Sequence, residues 1–512
     1  MRASGVHFRH HVLAYLLALS ALTVAQQQPR GNTKVLIVGD SITHCNEGDY
    51  TWRYRIWSWF QSSNLVVDFV GPYIGTAEPD TPEPPKRPRL YGEPEETPPL
   101  RVSGKYAAEF DSNHFAISGR AAAQVKDTIH DVVAEFTPDL ILVLLGYNDL
   151  AFGFGNATGT LINMQTLIQN ARAAKSETAF VIGTVPQRTW TGAAEQVRMT
   201  DEYNRRLRRE GVGWSLDGSP VVIAPVREEY DCGPQYSNDE CPAAHDGLHP
   251  NELGEYQIAR AFSRALVSGL KMGESPLEVP SSIPPRPLPV PGDLEMDSSG
   301  LGVTATWDKV FGAYTYDTEY RLNGVATPAF KFSPTNVRAN RWDTRWDEDG
   351  EIYDLRIRPI AGNRKGTWTD WQSATATPRL PQAPENVTAS STATGIDLSW
   401  ALSQGNYSAN LFNIYYWDIN VTCTNMILSP TAAFEGTSGH IDGLVAGHRY
   451  NLAIEAWNDD GPGIPRGVGS VVVGGSEEMS GNMPESACPE KVLGTPPETE
   501  PIDTSDPKAP PS

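Results

Sequence analysis

From Lys34 to about Leu270 the chain alternates short β-branched apolar runs with longer segments of helical period, and this alternation constrains the fold more than any other feature. Val35–Val38, Val66–Val70, Leu140–Leu145, Phe180–Val185 and Val221–Val226 read as buried strands. Between them Trp52–Gln61, Ala121–Phe136, Leu161–Lys175, Glu195–Arg209 and Asn251–Leu270 read as helices, several with acids near the start and bases near the end. The order predicts an α/β fold, a doubly wound, mostly parallel sheet covered on both faces. Residues 75–104, rich in Pro and Glu and without period, read as a long surface insertion near the sheet's C-terminal edge, either a lid or a mobile decoration.

The texture changes at Glu278–Pro291, a Pro-rich, semi-rigid linker. Beyond it two similar units follow, each with alternating short strands, an early Trp and a later Tyr that opens a strand. Trp307 and Trp400 stand 93 residues apart, Tyr353 and Tyr450 97 apart. Repetition at that period without helical stretches predicts two all-β sandwiches. The segment Leu444-x-x-Gly447-x-x-Tyr450-x-Leu452-x-Ile454-x-Ala456-x-Asn458-x-x-Gly461 resembles the end of a fibronectin type III domain, and Tyr353-x-Leu355-x-Ile357 is a weaker copy. The expected organisation is an α/β domain over 33–272, the linker over 278–291, fibronectin-like domains over 288–378 and 381–475, and a disordered tail over 476–512, rich in Glu, Pro, Ser and Thr. Trp368 and Trp371, expected on a last strand of the first sandwich, mark either a binding face or a packing motif.

Arg2 and Arg9 precede the apolar run Val12–Ala25, and polar Gln26–Gln28 follow. Residues 1–25 therefore read as a secretory signal peptide, the run being shorter than the ~20 residues a membrane span needs, with an uncleaved anchor as the alternative. No later stretch approaches span length, so a secreted, extracellular chain is expected. With 41 Lys plus Arg against 62 Asp plus Glu, the net charge of −21 argues against a nucleic-acid or anionic-membrane partner. Secretion permits disulfides, and Cys232 and Cys241, nine apart in a loop rich in Gly, Pro, Asn and Asp, are expected to pair. Cys423 and Cys488 are candidates for a second bridge, which would leave Cys45 free, but spacing leaves the connectivity open. No paired zinc-type spacing is present, so no metal is expected. Asn156, Asn386, Asn406 and Asn420 open N-glycosylation sequons.

Strand Val35–Val38 runs into Gly39-Asp40-Ser41-Ile42-Thr43, which puts a Ser at the sheet edge where open α/β sheets bind ligands. Near the end of the same domain stands Asp246-Gly247-Leu248-His249-Pro250-Asn251. A Ser nucleophile needs a base within hydrogen-bond reach, and the base needs a carboxylate to fix its tautomer; Asp and His three apart on one loop supply both. Leu140–Leu145 leads into Gly146-Tyr147-Asn148-Asp149, where the Asn amide suits an oxyanion, and Ser118-Gly119-Arg120 lets a backbone N–H approach a ligand. Singly, each segment also reads as an ordinary turn or helix cap.

Together the four segments resemble the SGNH hydrolase superfamily, the GDSL-type esterases, and occur in its order over about residues 33–270. The resemblance implies a flavodoxin-like sheet, Ser41 as nucleophile, His249 as general base and Asp246 as its orienting acid. It implies oxyanion donors at the Ser41 and Gly119 backbones and the Asn148 amide, and no cofactor. Ile42 replaces the family's usual Leu, and Phe115-Ala116-Ile117 replaces the frequent Asn-x-Gly lead-in before Gly119. Gly39–Thr43, Tyr54-Arg55-Ile56-Trp57 and Val67-Asp68-Phe69-Val70-Gly71 look most like carbohydrate esterase family three, the acetyl xylan esterases. That implies an acetylated polysaccharide substrate; the fibronectin-like domains either bind carbohydrate such as cell-wall polymer or serve as spacers alone. A lipid or aryl-ester hydrolase with the same triad, and an inactive wall-binding or adhesion protein, are the alternatives. Asp40, Tyr147 and Trp52 are expected to contact substrate; Trp52, Trp57, Trp59, Tyr73 and Tyr147 form either a sugar-stacking platform or core.

Overall fold

Residues 35 to 39 are buried without interruption along strand β1 (Thr33–Gly39), as befits a strand covered on both faces in a parallel sheet. The computed structural model describes residues 32–94, 97–238, 240–323, 330–476 and 478–487. The expected signal peptide and most of the expected disordered tail lie outside the described residues. After β1 come α1 (Ser41–His44), α2 (Thr51–Ser62), β2 (Val67–Val70), β3 (Phe115–Ala116), α3 (Ala122–Val125), α4 (Ile129–Phe136) and β4 (Leu140–Leu144). Then follow α5 (Tyr147–Ala151), α6 (Ala157–Ala174), β5 (Ala179–Gly183), α7 (Ala194–Gly211), β6 (Val221–Ala224), α8 (Val226–Glu229) and α9 (Glu252–Leu270). Strand order is β2-β1-β4-β5-β6 with β3 also beside β1, and every pairing is parallel.

Two helix expectations need correction. The segment 121–136 is not one helix but two, α3 and α4. Asn170 donates to the Lys126 carbonyl at 2.7 Å and the Thr128 hydroxyl donates to the Val125 carbonyl at 3.2 Å, so side chains take carbonyls that a continuous helix would bond internally. Helix α6 starts earlier than its apolar period suggests because Asn156 caps it, accepting from the Gly159 N–H at 3.0 Å. Helix α2 packs on α9 through Trp52, stacked on Phe262 at 4.6 Å, and through a buried Arg55–Glu255 pair at 2.8 Å.

Downstream of the linker, all strand pairings are antiparallel. In the first sandwich Glu295–Ser299, Gly302–Thr306 and Arg341–Asp343 form one sheet, and Thr315–Leu322, Phe330–Val337, Ile352–Ala361, Arg364–Lys365 and Gln372–Thr375 the other. In the second, Glu385–Ser391, Ile396–Ala401 and Ser438–Ile441 face Leu411–Asp418, Thr431–Phe434, Arg449–Trp457 and Arg466–Val472. Trp307 and Trp400 are buried in the two cores. Tyr450 accepts the Val445 N–H at 3.1 Å, closing a corner across its own loop, whereas Tyr353 donates to the Asp347 carboxylate at 2.8 Å, which is why its motif is the weaker copy. Trp368 and Trp371 pack against cations: Arg358 lies 4.4 Å over Trp368 and Arg321 4.4 Å over Trp371, with Arg356 against both.

The described residues of the insertion 75–104 form isolated bridges and no helix or strand, and Leu90 and Tyr91 are docked on the second sandwich. The Tyr91 N–H donates to the Ala433 carbonyl at 2.8 Å, the Asp442 N–H donates to the Tyr91 hydroxyl at 3.0 Å, and Leu90 packs on Leu411, Ala433 and Trp457. Cys232 and Cys241 are bonded, Cys423 is disulfide-bonded, and Cys45 is free and buried; Cys488 lies outside the described residues. The four sequon asparagines are exposed. Among the described residues no helix is long and apolar enough to cross a membrane.

Candidate active site

The edge where β1 ends carries three of the four segments singled out in the sequence. Gly39 pairs with Ala116 of β3 on one side and with Leu144 of β4 on the other, so the loops after all three strands leave the sheet side by side. Ser41 opens α1 there. Asp40 accepts the Ile42 N–H at 3.0 Å and its carbonyl accepts the Thr43 and His44 N–H groups, which closes the turn. Arg53, buried in α2, takes the other end of α1: it donates to the Thr43 carbonyl at 2.9 Å and to the His44 carbonyl at 3.0 Å. A cation on the last carbonyls of a helix is electrostatically favoured, and here it also fixes the helix that presents Ser41.

The fourth segment reaches the same place from the other end of the domain. His249 Nε2 lies 2.9 Å from Ser41 Oγ, and His249 Nδ1 lies 2.7 Å from Asp246 Oδ2. Asp246 Oδ1 also accepts the Leu248 and His249 N–H groups at 3.0 and 2.8 Å, so one carboxylate orders the loop and orients the ring. Asn251 caps α9, accepting the Leu253 and Gly254 N–H groups, and Tyr230 donates to the Leu248 carbonyl at 2.8 Å. Partial burial works against a charged His249, but the bond from Asp246 and its charge outweigh this and hold the imidazole above its ordinary value; Asp40 adds to the rise and Arg188 opposes it. Burial likewise disfavours a charged Asp246, yet His249 holds that carboxyl well below the usual range. Burial pushes Asp40 up to about 7.

On the facing loops, Gly119 has φ of +82°, a conformation open to glycine, and nothing lies within 4 Å of where a Cβ would project. Asn148 is buried and donates to the Arg120 carbonyl at 2.8 Å, which ties its amide to the Gly119 loop; the amide carries a second N–H. Asp149 accepts the Ala122 and Ala123 N–H groups at 2.7 and 3.0 Å and anchors α3 beside them.

Three expected substrate contacts are corrected. Trp52 is 0% exposed, its face covered by Phe262 and its indole N–H donated to Thr43. Tyr147 is 7% exposed within the sheet's core, and Asp40, 2% exposed, spends its carboxylate on the Ser41 turn. Of the other proposed platform residues, Trp59 is buried and Trp57 packs on Phe110. The large aromatic groups that do face solvent near Asn148 are Phe152 and Phe154, 66% and 47% exposed on the loop after α5. No sequence motif marks these two rings, Arg53 or His245; Gly153 and Gly155 beside Phe152 and Phe154 are the signal for an exposed loop. Among the described residues no group of three or more His, Cys, Asp and Glu is placed to hold a metal.

Residues 91–256 match the GDSL-like Lipase/Acylhydrolase family, and residues 382–471 match the Fibronectin type III domain. The first match begins downstream of the Ser41 turn. The chain is 22% identical over 311 residues to a protein from Ruminococcus flavefaciens called Multidomain esterase, covering 55% of this chain and 36% of that one. The chain thus spans about a third of the length of the curated relative it matches. Among solved structures, a carbohydrate esterase family 3 protein from Talaromyces cellulolyticus is 25% identical, covering 47% of this chain and 98% of its own, with a TM-score of 0.34. A Clostridium thermocellum family 3 carbohydrate esterase is 19% identical with the same coverages and a TM-score of 0.33.

Proposed function

We propose that this chain, which carries a GDSL-like lipase/acylhydrolase domain and a fibronectin type III domain, is a secreted serine esterase that removes acetyl groups from polysaccharide, with Ser41, His249 and Asp246 as its triad. The observation that carries the reading is the unbroken series Asp246, His249, Ser41, at 2.7 and 2.9 Å, at the edge where Gly119 and Asn148 also stand. With Nδ1–H committed to Asp246, His249 Nε2 accepts the Ser41 proton.

Ser41 Oγ attacks the ester carbonyl as His249 takes its proton. The oxyanion that forms is met by the Ser41 and Gly119 N–H groups and the Asn148 amide, the alcohol leaves with the proton from His249, and water repeats the sequence to release the acid. Each donor is worth roughly 2.7–4 kcal/mol in the transition state. Asn148→Ala is therefore expected to lower kcat about a hundredfold or more with little change in KM, read by steady-state kinetics on an aryl acetate.

Acetylated polysaccharide as substrate is supported by the resemblance of Gly39–Thr43, Tyr54–Trp57 and Val67–Gly71 to carbohydrate esterase family three, and by the R. flavefaciens relative's name for the broader activity. Secretion rests on the apolar leader, and glycan attachment on four exposed sequons. The test is acetate release by the mature protein, and by Ser41→Ala, from acetylated xylan, a short-chain aryl ester and a long-chain aryl ester. Release from xylan that vanishes in the variant is the expected result. Ser41-dependent hydrolysis confined to the long chain would move the substrate class to lipids, and no turnover on any would overturn the esterase reading.

A further inference from the structure

The two segments read as catalytic come from opposite ends of the α/β domain, and the linker and first sandwich grip both. Just after α1, Glu47 pairs with Lys309 at 2.6 Å, and Gly48 lies so close to Gly312 that a Cβ on it would meet the Gly312 Cα at 2.4 Å. Buried Asp49 accepts the Tyr314 hydroxyl at 2.5 Å and pairs with Arg286 at 2.6 Å. On the loop side, the His245 ring lies 6.0 Å from the His249 ring, nearly parallel to it, and 5.0 Å from Tyr314. The His245 N–H donates to the His249 carbonyl at 2.9 Å, and Gly362 of the sandwich presses on His245, where a Cβ would come within 2.2 Å. Beyond the loop, Glu252 takes Arg286 and Arg364, each at 3.3 Å. The linker thus buries the Asp49–Arg286 pair against the α/β domain, and removing charges from water costs free energy unless the geometry is held, here by Tyr314 and Glu252.

We infer that the first β-sandwich is a structural part of the active site, clamping the Ser41 turn to the His249 loop, and that Tyr314 is its positioning residue, with its hydroxyl on the Ser41 side at Asp49 and its ring on the His249 side at His245. The inference rests on the reading of Ser41 and His249 as the reacting pair. Its physical basis is the sensitivity of proton transfer to position: a displacement of about 1 Å far from the chemistry can cost a hundredfold. Tyr314 touches neither reacting atom and acts through Asp49 and His245, its hydroxyl also accepting from Arg286 at 3.0 Å.

The test uses the full chain, with Tyr314→Ala and Tyr314→Phe beside the wild type and Ser41→Ala, on a short-chain aryl acetate. Competent sites are counted by stoichiometric labelling with an aryl phosphonate, so that kcat is expressed per folded site. The clamp predicts that Tyr314→Ala loses tenfold or more in kcat per site with KM within about twofold, and that Tyr314→Phe, which keeps the ring against His245 but gives up the hydroxyl bond to Asp49, falls between Tyr314→Ala and the wild type. Wild-type kcat per site in both variants would overturn it, as would a loss explained wholly by fewer labelled sites. If the wild type itself shows no Ser41-dependent turnover, the catalytic reading fails instead, and the two failures are told apart by that control.

Discussion

Replacing Ser41 with alanine is expected to lower kcat by roughly 10⁵-fold or more, with the protein still folded. The size of the effect follows from the geometry. On the proposed reading Ser41 supplies the atom that bonds to substrate; with its hydroxyl gone His249 has nothing to deprotonate but water, and only the backbone N–H groups of residues 41 and 119 and the Asn148 amide remain to stabilise charge. The fold survives because Ser41 is half-buried at the first position of α1, where the turn is held by Asp40 and Arg53 and not by the serine hydroxyl. The free energy of unfolding is expected to change by no more than a surface substitution changes it, within about 0.5 kcal/mol. A large loss of both activity and stability would assign Ser41 a packing role.

The second large effect is at Asp246. Asp246→Asn keeps an acceptor for the Leu248 and His249 N–H groups but removes the charge beside Nδ1, and kcat is expected to fall about 10⁴-fold. The pH profile carries the sign. Asp246 holds His249 above its ordinary 6.5, and the base works only when neutral, so wild-type activity rises with pH through a limb lying above that value and is lost below it. Without the carboxylate, burial and Arg188 are opposed only by Asp40, and the residual activity is expected to show its acid limb at lower pH. A limb unmoved in Asp246→Asn would separate Asp246 from the titrating base.

The sequence carried the α/β order and the site's four segments for a definite reason. In a parallel sheet every strand's C-terminal end faces the same edge, so Ser41, Gly119 and Asn148, though far apart in the chain, had to meet once the strands were identified. His249 and Asp246 were legible because their geometry is local to one loop. What stayed hidden depends on partners distant in sequence. Trp52, Tyr147 and Asp40 look like binding residues beside a motif, and only Phe262, the sheet core and the Ile42 N–H show them already occupied. The break between α3 and α4 is imposed by Asn170, and Arg53 reads as one more polar helix residue until its carbonyl partners are known. The insertion gives no periodic signal for Tyr91 finding Ala433, and nothing in the repeat at Trp307 and Trp400 foretells Tyr314 standing between Asp49 and His245.

The proposed function makes Ser41 a nucleophile activated by His249. It is tested most directly by treating the full chain with an aryl phosphonate and locating the adduct by peptide mass spectrometry. The expected result is one phosphonyl group per chain, on the peptide that contains Ser41, absent in Ser41→Ala and formed far more slowly in His249→Ala. An adduct on another residue, or labelling of Ser41 at the same rate without His249, would contradict it.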